Sequence, residues 1–219
     1  MKNYSMLFNK DIINDMLFVD IQVISTNSNN NSLAPEFNKI ICITYGTCEK
    51  INGEIKRGEL KTITSDDEFE IIQKFVDVLN YYHNNSTNRS SPYQMYLCGE
   101  NVDGYIIPLI TNKIIKYREQ LLDEQNKFFP KILRNTFVGI NGLITVNLIN
   151  LIGFGNDVSS YEQMVKEWSI KTSVELWCNP YDNTRYYQAD PIESIKSIII
   201  QSKNRVNVQM QIMKIIDSI

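Results

Sequence analysis

The run Met16-Leu17-Phe18-Val19-Asp20-Ile21-Gln22-Val23-Ile24 constrains this chain more than any other segment. It is short, β-branched and apolar on both sides of its alternation, so it reads as a strand covered on both faces. Its centre holds an ionisable residue. A carboxylate buried there is costly unless it is hydrogen-bonded, partly solvated or protonated, so Asp20 must have a dedicated environment. Residues 39–47 read as a second strand and the nearly alternating residues 54–64 as a third, at an edge. Asn52-Gly53 between them is a hairpin signal. Together the three runs predict a β-meander.

Helical signals follow. Ser65-Asp66-Asp67-Glu68 has the pattern of a capping box, ahead of Phe69, Ile72, Phe75, Val76 and Leu79 at helical spacing. Residues 83–91 read as a polar loop, 93–98 as a fourth strand, and 105–122 as a long helix with Pro108 in its first turn. Residues 144–152 fit either a strand or a short helix, and 128–140 are ambiguous. Ser159-Ser160-Tyr161-Glu162 signals a helix to about residue 170. A last helix is expected from 190 towards 219, with a break at the polar residues 201–207. The order predicts an α/β chain with a mixed sheet flanked by helices. No Pro/Gly-rich linker divides it, so 1–219 reads as one domain, with 200–219 as a C-terminal helical extension.

Composition narrows the chemistry. The chain has 219 residues, one histidine and a formal charge of −3. A Ser-His-Asp or Cys-His mechanism would rest on His83 alone, which reads as a solvated loop residue. Mild acidity counts against a broadly basic nucleic-acid binder. Cys42, Cys48, Cys98 and Cys178 form no CxxC pair and read as reduced thiols, Cys42 and Cys98 packing as small hydrophobes. No signal-peptide or membrane-span pattern is found, so an intracellular location, or one inside an assembled virion, is expected. The abundance of Asn and Ile reads as AT-rich coding, of a bacterium or its phage.

Three segments resemble motifs of the 3′-5′ exonucleases related to the proofreading domain of family B DNA polymerases, of the DEDD group. Phe18-Val19-Asp20-Ile21-Gln22 is similar to the first motif, a strand with Asp-x-Glu. Gly99-Glu100-Asn101-Val102-Asp103-Gly104-Tyr105-Ile106-Ile107-Pro108 is similar to the second, Gly-x-Asn followed by Phe-Asp-hydrophobic-Pro. Tyr186-Tyr187-Gln188-Ala189-Asp190 fits the third, Tyr-x-x-x-Asp. The resemblance spans residues 15–200 and implies an RNase H-like fold. It also implies two Mg²⁺ or Mn²⁺ ions about 3.5–4 Å apart, held by carboxylates, that clamp the attacking and leaving oxygens of a phosphodiester.

Carried over residue by residue, that site is degenerate. Asp20 and Asp190 match acids, but Gln22 stands for the Glu and Ile106 for the second Asp. Asn101, Tyr105, Tyr186 and Pro108 keep the surrounding pattern. Asp103, three residues before Ile106, is the candidate substitute ligand, giving Asp20, Asp103 and Asp190 as the metal set of an active enzyme. Asp103 also reads as a turn or capping residue. Asp190, followed by Pro191 and Glu193, reads as a helix cap. Lys113, Lys116, Arg118, Lys127 and Lys131 are candidates for a nucleic-acid surface, although Glu119, Asp123 and Glu124 dilute their charge and favour a solvated face.

The leading expectation is therefore a catalytically inactive exonuclease-like protein, without cofactor. It would be a structural or protein-interaction module, self-assembling or bound to other proteins, as a phage virion component or a replication accessory. The alternatives are an active metal-dependent exonuclease with atypical ligands and a non-cleaving binder of single strands.

Overall fold

The computed structural model describes residues 12–26, 37–84, 95–125, 143–148, 165, 169–170 and 183–217. After a short 3-10 turn, Ile12–Asp15, come β1 (Met16–Ser25), β2 (Asn38–Ile51), β3 (Glu54–Arg57), β4 (Lys61–Thr64) and α1 (Glu68–Asn84). Then follow β5 (Met95–Gly99), a π-helical turn (Val102–Ile106), α2 (Ile107–Lys116), α3 (Arg118–Gln125), β6 (Leu143–Asn147), α4 (Thr184–Ala189) and α5 (Pro191–Asp217). The protein is mixed α/β with an open six-stranded sheet in the order β3-β2-β1-β5-β6, β4 also pairing with β2. β1 runs antiparallel to β2 and parallel to β5, and β5 runs parallel to β6.

The alternation of β1 separates two cores. Leu17, Val19, Ile21 and Val23 face α1 and α2, packing with Ile71, Ile72, Phe75, Leu109 and Ile110. Met16 and Phe18 face the other way, where Tyr96, Cys98 and Val146 meet Val206, Met210, Ile212 and Met213 of α5. With a side-chain period of two, Asp20 and Gln22 belong to this second face. A bulge follows at once: Gln22 opposes Cys42 while Val23 opposes Ile40, leaving Ile41 unmatched on β2.

Several expectations change. The third strand is two, β3 and β4, because Gly58 folds in to give its N–H to the Thr47 carbonyl at 2.8 Å. A Cβ there would lie 2.9 Å from that same oxygen, so only glycine fits. Asn52 and Gly53 both take positive φ, as the tight hairpin requires. The helix expected over 105–122 starts earlier, as the π turn, and divides at Tyr117 into α2 and α3. His83 lies within the last turn of α1 rather than in a loop. Residues 143–147 resolve the strand-or-helix choice as β6. α5 runs unbroken through 201–207, because Ser202, Asn204 and Arg205 there are buried rather than solvated. Residues 128–140, the helix start at 159–162, Cys178, Lys127 and Lys131 lie outside the described residues.

The first cap is also shifted. Asp67, not Ser65, caps α1, its Oδ1 accepting from the Phe69 N–H at 2.9 Å. Glu68 turns inward instead of back to Ser65. It accepts from the Ile40 N–H at 2.7 Å and pairs with Lys113 at 3.0 Å and Lys116 at 2.9 Å. Tyr117 Oη donates to it at 2.8 Å. This network ties α1, β2 and α2 together.

Candidate functional site

Period-two alternation presents Asp20 to α5, and α5 supplies its partner. Ser202 Oγ donates to Asp20 Oδ2 at 2.6 Å, and Gln22 Nε2 donates to the same oxygen at 2.6 Å. Gln22 is held in turn by Asn183 Nδ2, which donates to its Oε1 at 2.9 Å. One turn along α5, Arg205 Nη1 meets Glu100 Oε2 at 2.8 Å. Gln209 Nε2 donates to the Val19 carbonyl at 3.2 Å. Asp20, Gln22, Asn183, Ser202, Arg205 and Gln209 are all buried.

The end of β5 explains why Glu100 joins the group. Phe18 of β1 is paired with Cys98 of the parallel β5. Asp20 lies two residues on along β1, and Glu100 lies in the turn just past the end of β5, close enough for the Asp20 charge to act on it. Each carboxylate is pushed above its ordinary range, first by burial; the Arg205 guanidinium acts on both in the opposite direction. The charge of Asp20 adds to the upward push on Glu100. Burial likewise raises the Cys42 thiol to about 12, with Asp20 contributing, so Cys42 is a packed thiol and not a nucleophile. Cys48 and Cys98 are buried and free as well.

Among the described side chains of the three motifs, those of Ile106, Asp103 and Asp190 are engaged away from Asp20. Ile106 is 4 % exposed and packs in the core against α1 and α2. Its place is set by the π turn, which Asn101 opens in the left-handed region at φ 50°. Asn101 offers its carbonyl to the N–H groups of Tyr105 at 2.9 Å and Ile106 at 3.3 Å. Asp103 is exposed and accepts from the Thr145 hydroxyl on β6. Asp190 is an exposed N-cap of α5: its Oδ1 takes the N–H groups of Ile192 and Glu193, each at 3.1 Å. Tyr186 lies within α4.

A pair of divalent ions does not fit this arrangement. One Asp20 oxygen is taken by two donors, a guanidinium stands nearby, and Ile106 has no ligand atom. Asp103 and Asp190 spend oxygens on a hydroxyl and a helix end. Among the described residues no three His, Cys, Asp or Glu side chains group as a metal site.

One residue of the expected basic face is placed elsewhere. Lys113 is buried, pairs with Glu68 and donates to the Asn38 carbonyl, so it is a core ion and no part of a surface for nucleic acid. Lys116 shares the Glu68 carboxylate. Arg118 is exposed, with the adjacent Glu119 carboxylate at 3.9 Å.

Sequence reasoning overlooked Ser202, Arg205 and Gln209. Their spacing of three and four residues was a helical face in plain view. Polarity alone marked the segment as a break, and polarity does not distinguish a solvated face from a partnered one. In comparison with known proteins, the sequence matches no family model and no curated protein.

Proposed function

We propose that this chain is a catalytically silent 3′-5′ exonuclease-like protein on an RNase H-like sheet, acting as a structural or protein-interaction module. The carrying observation is the state of Asp20. Its carboxylate is buried and engaged by Gln22 and Ser202, so it joins β1 to α5 instead of facing a substrate. Strand order supports the fold: an antiparallel β3-β2-β1 ladder continues into parallel β5 and β6, with the acid on the central strand. The second motif follows β5, as the resemblance implies, but presents Ile106 to the core.

Protein contact is favoured by what α5 leaves outside. Ile192 and Ile200 are 70 % and 54 % exposed and lie eight residues apart, on one helix face. A virion component or a replication accessory would use such a surface to join neighbours.

The test is incubation of the purified chain with end-labelled single-stranded DNA and Mg²⁺ or Mn²⁺, beside sedimentation of wild type and Ile192→Glu/Ile200→Glu. No degradation is expected, with self-association or complex formation weakened in the double variant. Degradation that disappears in Asp20→Asn would overturn the proposal.

A further inference from the structure

We infer that Arg205 is the resident cation of this fold: it is the counter-charge to Glu100 and Asp20 where an exonuclease of the resembled group holds metal, and it excludes divalent ions from that place. The inference deepens the proposed function and rests on it.

Three observations carry it. The turn that follows β5 brings Glu100 to Arg205, close enough to Asp20 for the two carboxyls to act on each other. Buried like charges at such a place repel, and each is costly without a counter-charge. The structure provides one: Arg205 is 7 % exposed, sits 2.8 Å from Glu100 and acts electrostatically on Asp20. Ser202, one turn earlier on the same helix, completes the shell by donating to Asp20. Both groups come from α5, so they arrive together when the helix docks. A guanidinium is always charged and forms directional bonds with carboxylate oxygens. It can therefore replace the charge of an ion without its open coordination positions, and so without any means of activating water.

Among the described residues, the other charged and titratable groups nearby do not compete for this place. Cys42, on β2, is an uncharged thiol. Lys203, on α5, acts on Cys42 and is exposed. Lys113 and Lys116 are committed to Glu68 on the opposite face of the sheet.

The experiment is thermal unfolding of the full chain with and without millimolar MnCl2, for wild type, Arg205→Ala, Arg205→Lys and Asp20→Asn/Arg205→Ala. Wild type and Arg205→Lys should be indifferent to Mn²⁺. Arg205→Ala should melt lower, and Mn²⁺ should raise its midpoint by roughly 5 °C; the double variant should lose that rescue. A folded Arg205→Ala chain that ignores Mn²⁺ overturns the inference and leaves the proposed function standing. Mn²⁺ stabilisation of wild type that vanishes in Asp20→Asn overturns the inference, and DNA cleavage with the same dependence overturns both. If Arg205→Ala does not fold, Asp20→Asn/Glu100→Gln/Arg205→Met decides. It should fold, because both carboxylates and their counter-charge leave together; its failure to fold also overturns the inference.

Discussion

Two donors meet on a single oxygen of Asp20, Ser202 Oγ and Gln22 Nε2, both at 2.6 Å. The geometry separates two roles for the side chain. As an acceptor it satisfies groups that would otherwise be buried and unpaired; as a charge it is disfavoured by its surroundings. Asp20→Ala removes the acceptor and strands a hydroxyl and an amide, at a cost of about 2–4 kcal/mol. Asp20→Asn keeps an oxygen in the same place and removes the charge, so its stability near neutral pH should stay within about 1 kcal/mol of wild type. Urea unfolding of both variants checks this. Equal losses would mean that the charge itself, and not the acceptor, holds α5 to β1. Glu68 is the opposite case, a buried carboxylate whose charge is wanted, because Lys113 is buried beside it at 3.0 Å.

Among the elements, α5 carries the most. Its buried side chains include Ser202, Arg205, Val206, Val208, Gln209, Met210, Ile212, Met213 and Ile216, so the residues past 200 are core to the second face of the sheet. A chain ended after Ile200 should therefore lose cooperative unfolding and near-ultraviolet dichroism. A truncated chain that melts cooperatively near the wild-type midpoint would make those residues an appendage. Local chemistry was legible where an element ends: Asp190-Pro191 starts a helix, and Asn52-Gly53 turns a hairpin. It was not legible where an element meets a distant partner. Glu68 reads as a capping residue by its neighbours, yet its actual partners, Lys113 and Tyr117, lie 45 and 49 residues away.

Across the whole molecule the buried carboxylates pull in opposite directions with pH. Burial acts to raise the pKa of Glu68, but bonds from Lys116, the Ile40 N–H, Lys113 and Tyr117 outweigh it and hold the carboxyl below its ordinary value. A depressed folded pKa means that the native state binds the proton more weakly than the unfolded chain. The stability from Glu68 is therefore present above the ordinary carboxylate range and lost as pH falls through and below it. Asp20 and Glu100 are raised, chiefly by burial, so the native state binds their protons more tightly. Their contribution improves as pH falls through the raised values towards the ordinary range. Stability should thus peak on the acid side of neutrality and collapse at lower pH. Denaturant midpoints measured across pH 3–8 test this. Asp20→Asn should flatten the rise on acidification, and Glu68→Gln should flatten the acid collapse; a curve unchanged in both variants would refute the assignment.

Periodicity along the chain was enough to locate β1, the Asn-Gly hairpin, the helix after Ser65, the cap at Asp190 and the mixed α/β order, because each depends on neighbours within a few residues. It also located Asp20 as the acid that needs an environment, and Ile106 as a position with nothing to offer a metal. What surrounds Asp20 came only with the tertiary structure. The turn after the parallel strand β5 brings Glu100 near it, and a helix more than 180 residues further on brings Ser202 against it and Arg205 alongside. Hydropathy assigns polar residues to water, and only docking of α5 on the sheet shows that these are buried against one another.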